Sequence, residues 1–325
     1  MTISNRERYE QETIDIAVPI LNTLIMNRKA AYMKLQFERI TKRYKDKKVL
    51  KGISVTMGAG IYGLLGPNGA GKTTMIRILA DVLRPTEGRI LYDGKDIHAM
   101  GDEYRAKIGY LLQDVSFYSD FTGRDYLEYS AALKGMEKTH AKKRIEELAH
   151  SVGLSDDLNR KCTAYSGGMQ RRLGIAQALL DDPEILILDE PTSGLDSYER
   201  IKFRNIISAY AKDRLVLLST HIVSDVEQIA TQIMMMEYGT IQHIHTGEEY
   251  VRMMEGRVWL AKMPAEQLVS YQNQAVISNV RAKDGCMEVR IIEDTKPASD
   301  AVQVVPMLED AYLYLFNYLP QKVGR

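Results

Sequence analysis

Cysteine is scarce in this chain, and charge of one sign never accumulates in it. The 325 residues include 2 Cys, and 43 Lys plus Arg balance 43 Asp plus Glu. Cys162 and Cys286 stand far apart in a pattern that matches no metal-ligand spacing, so neither a disulfide framework nor a zinc site is indicated, and a reducing cytoplasm is the expected home. The zero net charge excludes recognition of a polyanion by bulk charge, so any contact with nucleic acid or membrane must be local, and no nucleic-acid partner is expected. Also missing is the run of roughly 18 to 20 apolar residues that a membrane-spanning helix needs. The nearest approach, Ile14 to Met26, is broken by Asp15, Pro19 and Asn22. No internal repeat or low-complexity segment is present.

A composition of 45% hydrophobic and 26% charged residues suits one large domain with an appendage, or two domains. Residues 1–33 read as an exposed extension, weakly helical or disordered. The first strand-like segment, Met33 to Ile40, needs nothing upstream of it, which makes Met33 the expected natural start. From Leu35 onward, short apolar runs alternate with helical periodicity, the pattern of an α/β fold. Ile61 to Leu65, Glu184 to Leu188 and Leu215 to Leu218 are continuous apolar blocks of the kind found in strands covered on both faces. Between Gly123 and Ala164 the periodicity predicts helices, Arg124 to Lys134 and Thr139 to Val152, as a helical insertion. After His245 the style changes again. Lys283-Asp284-Gly285 separates two strand-like runs, Val276 to Val280 and Met287 to Ile292, as in a hairpin, and an aromatic helix is predicted over Leu308 to Tyr318. Two domains are therefore expected, over residues 34–245 and 246–325, the second a small α+β unit.

The chemistry begins at Gly66-Pro67-Asn68-Gly69-Ala70-Gly71-Lys72-Thr73, which fits G-x-x-x-x-G-K-[ST] after an apolar strand and before the helical run Thr74 to Leu83. The glycines let the backbone wrap a polyphosphate so that N–H groups and a helix N-terminus face the anion. Lys72 can then reach the β and γ phosphates, and Thr73 can offer a hydroxyl to Mg²⁺. The second element is the strand ending in Asp189-Glu190. At the mouth of a buried parallel strand Asp189 can hold Mg²⁺ and Glu190 can polarise an attacking water; alternatively, two acids simply begin a solvated loop. In the third, Ser166-Gly167-Gly168, serine as N-cap and paired glycines open a further helix with free N–H donors, ahead of Arg171, Arg172, Leu173 and Ala176.

With these residues in this order, the chain resembles the ATP-binding-cassette (ABC) ATPases from Leu35 to about His245. Gln113 after the strand Ile108 to Leu112, Ser193-Gly194-Leu195-Asp196 just after Glu190, and His221 after the strand at residue 215 fit the same order. The resemblance implies an α/β P-loop nucleotide-binding domain, with a mixed, mainly parallel sheet and a helical subdomain over about 114–165. It implies ATP and Mg²⁺ as ligands, with Thr73, Gln113 and Asp189 at the metal. It further implies that Tyr44 stacks on adenine, that Glu190 is the catalytic base, that Gln113 couples metal and water to the helical subdomain, and that His221 holds the γ-phosphate. Ser166, Gly167 and Gly168 would complete a partner's site, and Asp196 would pack across the interface. Tyr165 and Met169 depart from the commonest signature, which has Leu and Gln there; this bears on specificity more than on hydrolysis.

A second ABC subunit is thus the expected partner, a copy of this chain in the simplest case, with a different cassette equally compatible. Chromosome-type relatives need a long coiled coil, ribosome-type relatives resemble two cassettes in one chain, and DNA-repair types often carry zinc-ligand cysteines. None of these features is here, which points to a transporter subunit seated on the inner face of the membrane through a separate permease. Phe117, Tyr118 and Phe121 lie where family members receive the permease's coupling helix, although core packing would account for aromatics there too. The run Val304 to Leu313 resembles the closing segment of bacterial exporters of antibiotics, peptides, lipids or sodium. Any amphipathic C-terminal helix would look similar, so import and a soluble regulatory role stay open as alternatives.

Overall fold

The computed structural model describes residues 33–113, 117–272, 275–283 and 285–318. The expected extension, apart from Met33, lies outside the described residues, as do the start of the helical subdomain at 114–116 and the hairpin tip at Asp284.

The chain opens with β1 (Leu35–Tyr44), β2 (Lys47–Met57) and β3 (Gly60–Leu65), then α1 (Lys72–Leu79), β4 (Glu87–Tyr92), β5 (Lys95–Asp96), α2 (Ile97–Met100), α3 (Asp102–Arg105) and β6 (Ile108–Leu111). Next come α4 (Gly123–Leu133), α5 (Lys138–Ser151), α6 (Gly167–Ala178), β7 (Ile185–Asp189), α7 (Ser197–Tyr210), β8 (Leu215–Thr220), α8 (Val223–Glu227), β9 (Gln232–Glu237) and β10 (Thr240–His245). The last part holds α9 (Gly247–Met253), β11 (Val258–Met263), α10 (Ala265–Gln272), β12 (Val276–Lys283), β13 (Cys286–Ile292), β14 (Val302–Gln303) and α11 (Leu308–Leu313).

The central sheet has the order β10-β9-β3-β8-β7-β6, parallel except where β10 returns against β9. Why its inner strands read as unbroken apolar runs is visible in β7, where every residue is buried. Ile185 and Ile187 join a core shared with α1 and the β1–β4 sheet, while Leu186 and Leu188 join the core of the helical segment. Alternate side chains leave opposite faces of a strand, and here both faces are covered. Parallel pairing also aligns the strand ends. Leu65 stands beside Thr220, Asp189 beside Ser219, and Leu111 beside Leu188, so the loops that follow β3, β6, β7 and β8 open at one edge. That edge is where α/β sheets bind ligands.

Two further sheets flank this one. β2-β1-β4-β5 is antiparallel, with β2 opening on exposed Lys47 and Lys48 and then alternating buried Ile53, Val55 and Met57 with exposed Ser54 and Thr56. β12-β13-β11-β14 is also antiparallel and packs Ala261, Met263, Val289 and Ile291 beneath α10, which carries Leu268. The predicted hairpin is β12–β13. The predicted closing helix is shorter than expected: α11 stops at Leu313 and a π-helical turn covers Tyr314–Tyr318. The wider turn places the consecutive residues Tyr314 and Leu315 both against the core, and the Arg257 guanidinium lies 5.3 Å from the Tyr314 ring centre. No helix among the described residues is long and apolar enough to cross a membrane.

Candidate nucleotide site

Residues 66–71 leave β3 and turn into α1. Gly66 must be glycine because a Cβ there would meet the Met236 carbonyl oxygen at 2.2 Å, and Gly71, at φ +110, takes the left-handed N-cap position of α1. The β9–β10 turn braces this loop: the Gly239 N–H donates to the Ala70 carbonyl at 2.9 Å, and the Lys51 N–H to the Gly239 carbonyl at 2.8 Å.

A cleft of about 670 Å³ opens over the loop, lined by Pro67 through Thr74 together with Gln113, Glu190 and, from β2 and the β9–β10 turn, Lys47, Lys48, Lys51 and Tyr238. Lys72 is buried, its Nζ 2.6 Å from the Gly66 carbonyl and 3.9 Å from Glu190. Burial pushes its pKa below the usual lysine value, and the nearby Glu190 and Asp189 carboxylates oppose that shift. Glu190, directly after β7, sits at φ +49, a left-handed conformation rare for a glutamate, and its carboxylate faces His221 Nδ1 at 3.0 and 3.1 Å. With Nδ1 turned to the carboxylate, the other ring nitrogen, Nε2, is the one left for the γ-phosphate contact that the family resemblance implies for His221.

Asp189 is buried. Its Oδ1 accepts from Ser219 Oγ, and its Oδ2 finds no hydrogen-bond partner among the described residues. An orphaned carboxylate oxygen beside the cradle fits the outer sphere of a hard divalent cation, so the residues present suit Mg²⁺. When bound there, the ion would neutralise phosphate charge, with Asp189, Thr73 and Gln113 as the groups to hold it.

The other sequence-predicted residues lie elsewhere. Ser166 caps α6, accepting from the Met169 N–H at 3.2 Å, and nothing stands within 4 Å of a Cβ built on Gly167. Neither these two nor Gly168 lines the cleft. Asp196 caps α7, accepting from the Glu199 N–H at 2.8 Å. Tyr44 is exposed, with the Lys42 ammonium 5.3 Å from its ring centre; the aromatic lining the cleft is Tyr238. Sequence reasoning missed Tyr238; the signal available was the Gly239 that follows it between two apolar runs. It also missed Arg171, a buried guanidinium that donates to carbonyls on both sides of Glu190. Its signal was position: Arg171 shares a helical stripe with Gly168, Ile175 and Ala178, all of them buried.

Comparison with known proteins decides the family. The sequence pattern of the family described as ABC transporter matches residues 50–193. An ABC transporter ATP-binding protein of Bacillus subtilis, YxlF, is 35% identical over 74% of this chain and 83% of its own length. The chain belongs to the ABC transporter ATP-binding proteins. Another ABC relative, the Nod factor export ATP-binding protein I of Burkholderia lata, is 35% identical over 63% of this chain and 68% of that protein. Among solved ABC structures, the cassette MJ0796, captured as a post-hydrolysis dimer with ADP and phosphate, superposes with a TM-score of 0.61 at 26% identity, covering 65% of this chain and 98% of that one.

Proposed function

We propose that this chain hydrolyses ATP as one half of an ATP-closed dimer and drives a separate permease that exports its cargo. The observation that carries the reading is a division of parts. Lys72, Gln113 and Glu190 line one cleft and His221 faces Glu190, whereas the helix N-terminus at Ser166 and Gly167 does not line that cleft and is left open to a second molecule. In the closed pair, Lys72 would hold the terminal phosphates and the partner's signature helix would cover the γ-phosphate from the other side. Glu190 would take the proton of the attacking water as its oxygen bonds to phosphorus and the bond to ADP breaks. His221 would hold the Glu190 carboxylate on that water. Loss of the γ-phosphate removes the contact shared by the two halves, which then part.

Support for a permease comes from the start of the helical segment. Tyr118, Phe121 and Tyr129 meet as a cluster of tilted and edge-on rings with centroids 4.9 to 5.8 Å apart, and Tyr118 is 59% and Leu133 72% exposed, while Phe117 packs against the core. Such an exposed apolar patch suits a membrane protein's cytoplasmic helix and would seat the chain on the inner face of the membrane. The direction of transport rests on the likeness to a relative named for export.

The test is the Glu190→Gln variant with Mg²⁺ and ATP. Light scattering should report a dimer that the wild type holds only transiently, and a variant that stays monomeric would overturn the dimer mechanism. A mild-detergent pull-down of the same variant from native cells should retain a stoichiometric polytopic membrane protein. Recovery of soluble partners alone would overturn the transporter reading, and recovery of a solute-binding protein would reverse the direction.

A further inference from the structure

Arg171 lies in the second turn of α6, the helix whose N-terminus is Ser166–Gly168, and it is only 5% exposed. Its guanidinium donates to two separate stretches of backbone. Nη1 donates to the Leu112 carbonyl at 2.7 Å and the Gln113 carbonyl at 2.9 Å. Nε donates to the Pro191 carbonyl at 2.9 Å, and Nη2 to the Asp189 carbonyl at 2.5 Å and to the Glu190 carbonyl. One side chain of the signature helix therefore grips the segment that carries Gln113 and the turn that carries Asp189 and Glu190.

The chemistry explains why arginine is required. A guanidinium presents five N–H donors in a rigid plane, whereas lysine presents three from one atom and cannot span two chain segments. A buried cation without acceptors is costly, so the carbonyls are held where the guanidinium needs them. The Glu190 carbonyl belongs to a residue kept at φ +49, a conformation that persists only where its surroundings dictate it.

We propose that Arg171 is a positioning residue that locks the signature helix to its own chain's Gln113 and Glu190, so that the helix closing on the partner's nucleotide sets the carboxylate at its own. The proposal rests on the reading of the chain as an ATP-closed dimeric ATPase. A displacement of the α6 N-terminus as it seats against a nucleotide would pass through the rigid guanidinium to both segments at once. The two sites would then fire together.

Arg171→Gln and Arg171→Lys test this, each measured for kcat, KM and Hill coefficient in ATP hydrolysis, for affinity toward a fluorescent ATP analogue, and for melting temperature. For Arg171→Gln, kcat should fall about 100-fold, as expected when a reacting group is displaced by about an ångström. The Hill coefficient should drop toward 1, while analogue affinity stays within about threefold of the wild type. Arg171→Lys keeps the charge but can reach only one of the two segments, so its Hill coefficient should stay near 1 and its kcat well below that of the wild type. The proposal is overturned if both variants keep the wild-type kcat and Hill coefficient, or if kcat, analogue affinity and melting temperature fall together in both, which marks a support of the fold alone. A wild type that binds the analogue yet shows no Mg²⁺-dependent hydrolysis would overturn the ATPase reading itself; with an active wild type, the variants report on Arg171 alone.

Discussion

His221 stands across a strand-end gap from Glu190, its Nδ1 3.1 and 3.0 Å from the two carboxylate oxygens. In the proposed mechanism the contact aims the carboxylate, so replacing the imidazole should impair chemistry more than binding. In His221→Ala we expect kcat to fall by about 100-fold with the affinity for a fluorescent ATP analogue nearly unchanged, in the range usual for a disturbed general base. A steady-state assay showing wild-type kcat would dismiss the pairing as incidental.

Lys72 supplies a pH dependence. Burial lowers its pKa, so the folded, nucleotide-free chain loses its proton at lower pH than the unfolded chain does. The unfolded state therefore binds more protons across the window below the ordinary lysine value of about 10.4, and the stability of the free protein gains from this group as pH rises through that window. In the proposed site the phosphate contact needs the Lys72 ammonium, so affinity for ATP should decline over the same window. Titrations with the fluorescent analogue at rising pH check the sign, and an affinity that rises toward alkaline pH would contradict it.

The two cysteines should differ sharply in reactivity. Cys286 is exposed, whereas Cys162 is buried and burial pushes its thiol up to about 11. Since the thiolate is the nucleophile, a maleimide should modify Cys286 rapidly and Cys162 only on unfolding. Mass spectrometry of the labelled native protein should find one adduct; two fast adducts would mean that Cys162 is open to solvent.

Asp310 on α11 is fully buried and accepts from Arg290 Nη2 at 2.7 Å, Nε at 3.0 Å and the Met307 N–H at 2.8 Å. Removing one partner of a buried pair strands the other, so Asp310→Ala should destabilise the C-terminal sheet by about 3 to 5 kcal/mol. Urea unfolding followed by the fluorescence of Trp259 on β11 measures this directly. A midpoint equal to that of the wild type would show the pair to be dispensable.

Tyr44 and Tyr238 separate what sequence order says from what the cleft shows. Tyr44 holds the position that the family resemblance gives to the adenine-stacking aromatic, and a base–aromatic stack is worth about 1 to 3 kcal/mol. Tyr44→Ala should therefore raise KM for ATP by about 5- to 150-fold, and Tyr238→Ala by less. An unchanged KM in Tyr44→Ala beside a large rise in Tyr238→Ala would transfer the base contact to the β9–β10 turn.

Local chemistry was legible in the residues themselves. The turn from Gly66 to Thr73, the serine cap at Ser166 and the buried strand ending in Asp189 each depend on φ angles, caps and apolar runs that are short-range properties of the chain. The helix ending at Leu313, the place of β2 in a flanking sheet, and the grip of Arg171 on two distant segments were not. These depend on what lies across the sheet, and contacts between residues far apart in the chain, such as Arg171 and Leu112 at a separation of 59, leave no periodicity in a sequence. The parts of the site were thus written locally. Only the parallel register, which sets Leu65 beside Thr220 and Asp189 beside Ser219, brought the Gly66–Thr73 turn and the end of β7 to one edge, while the Ser166 cap stayed outside that cleft.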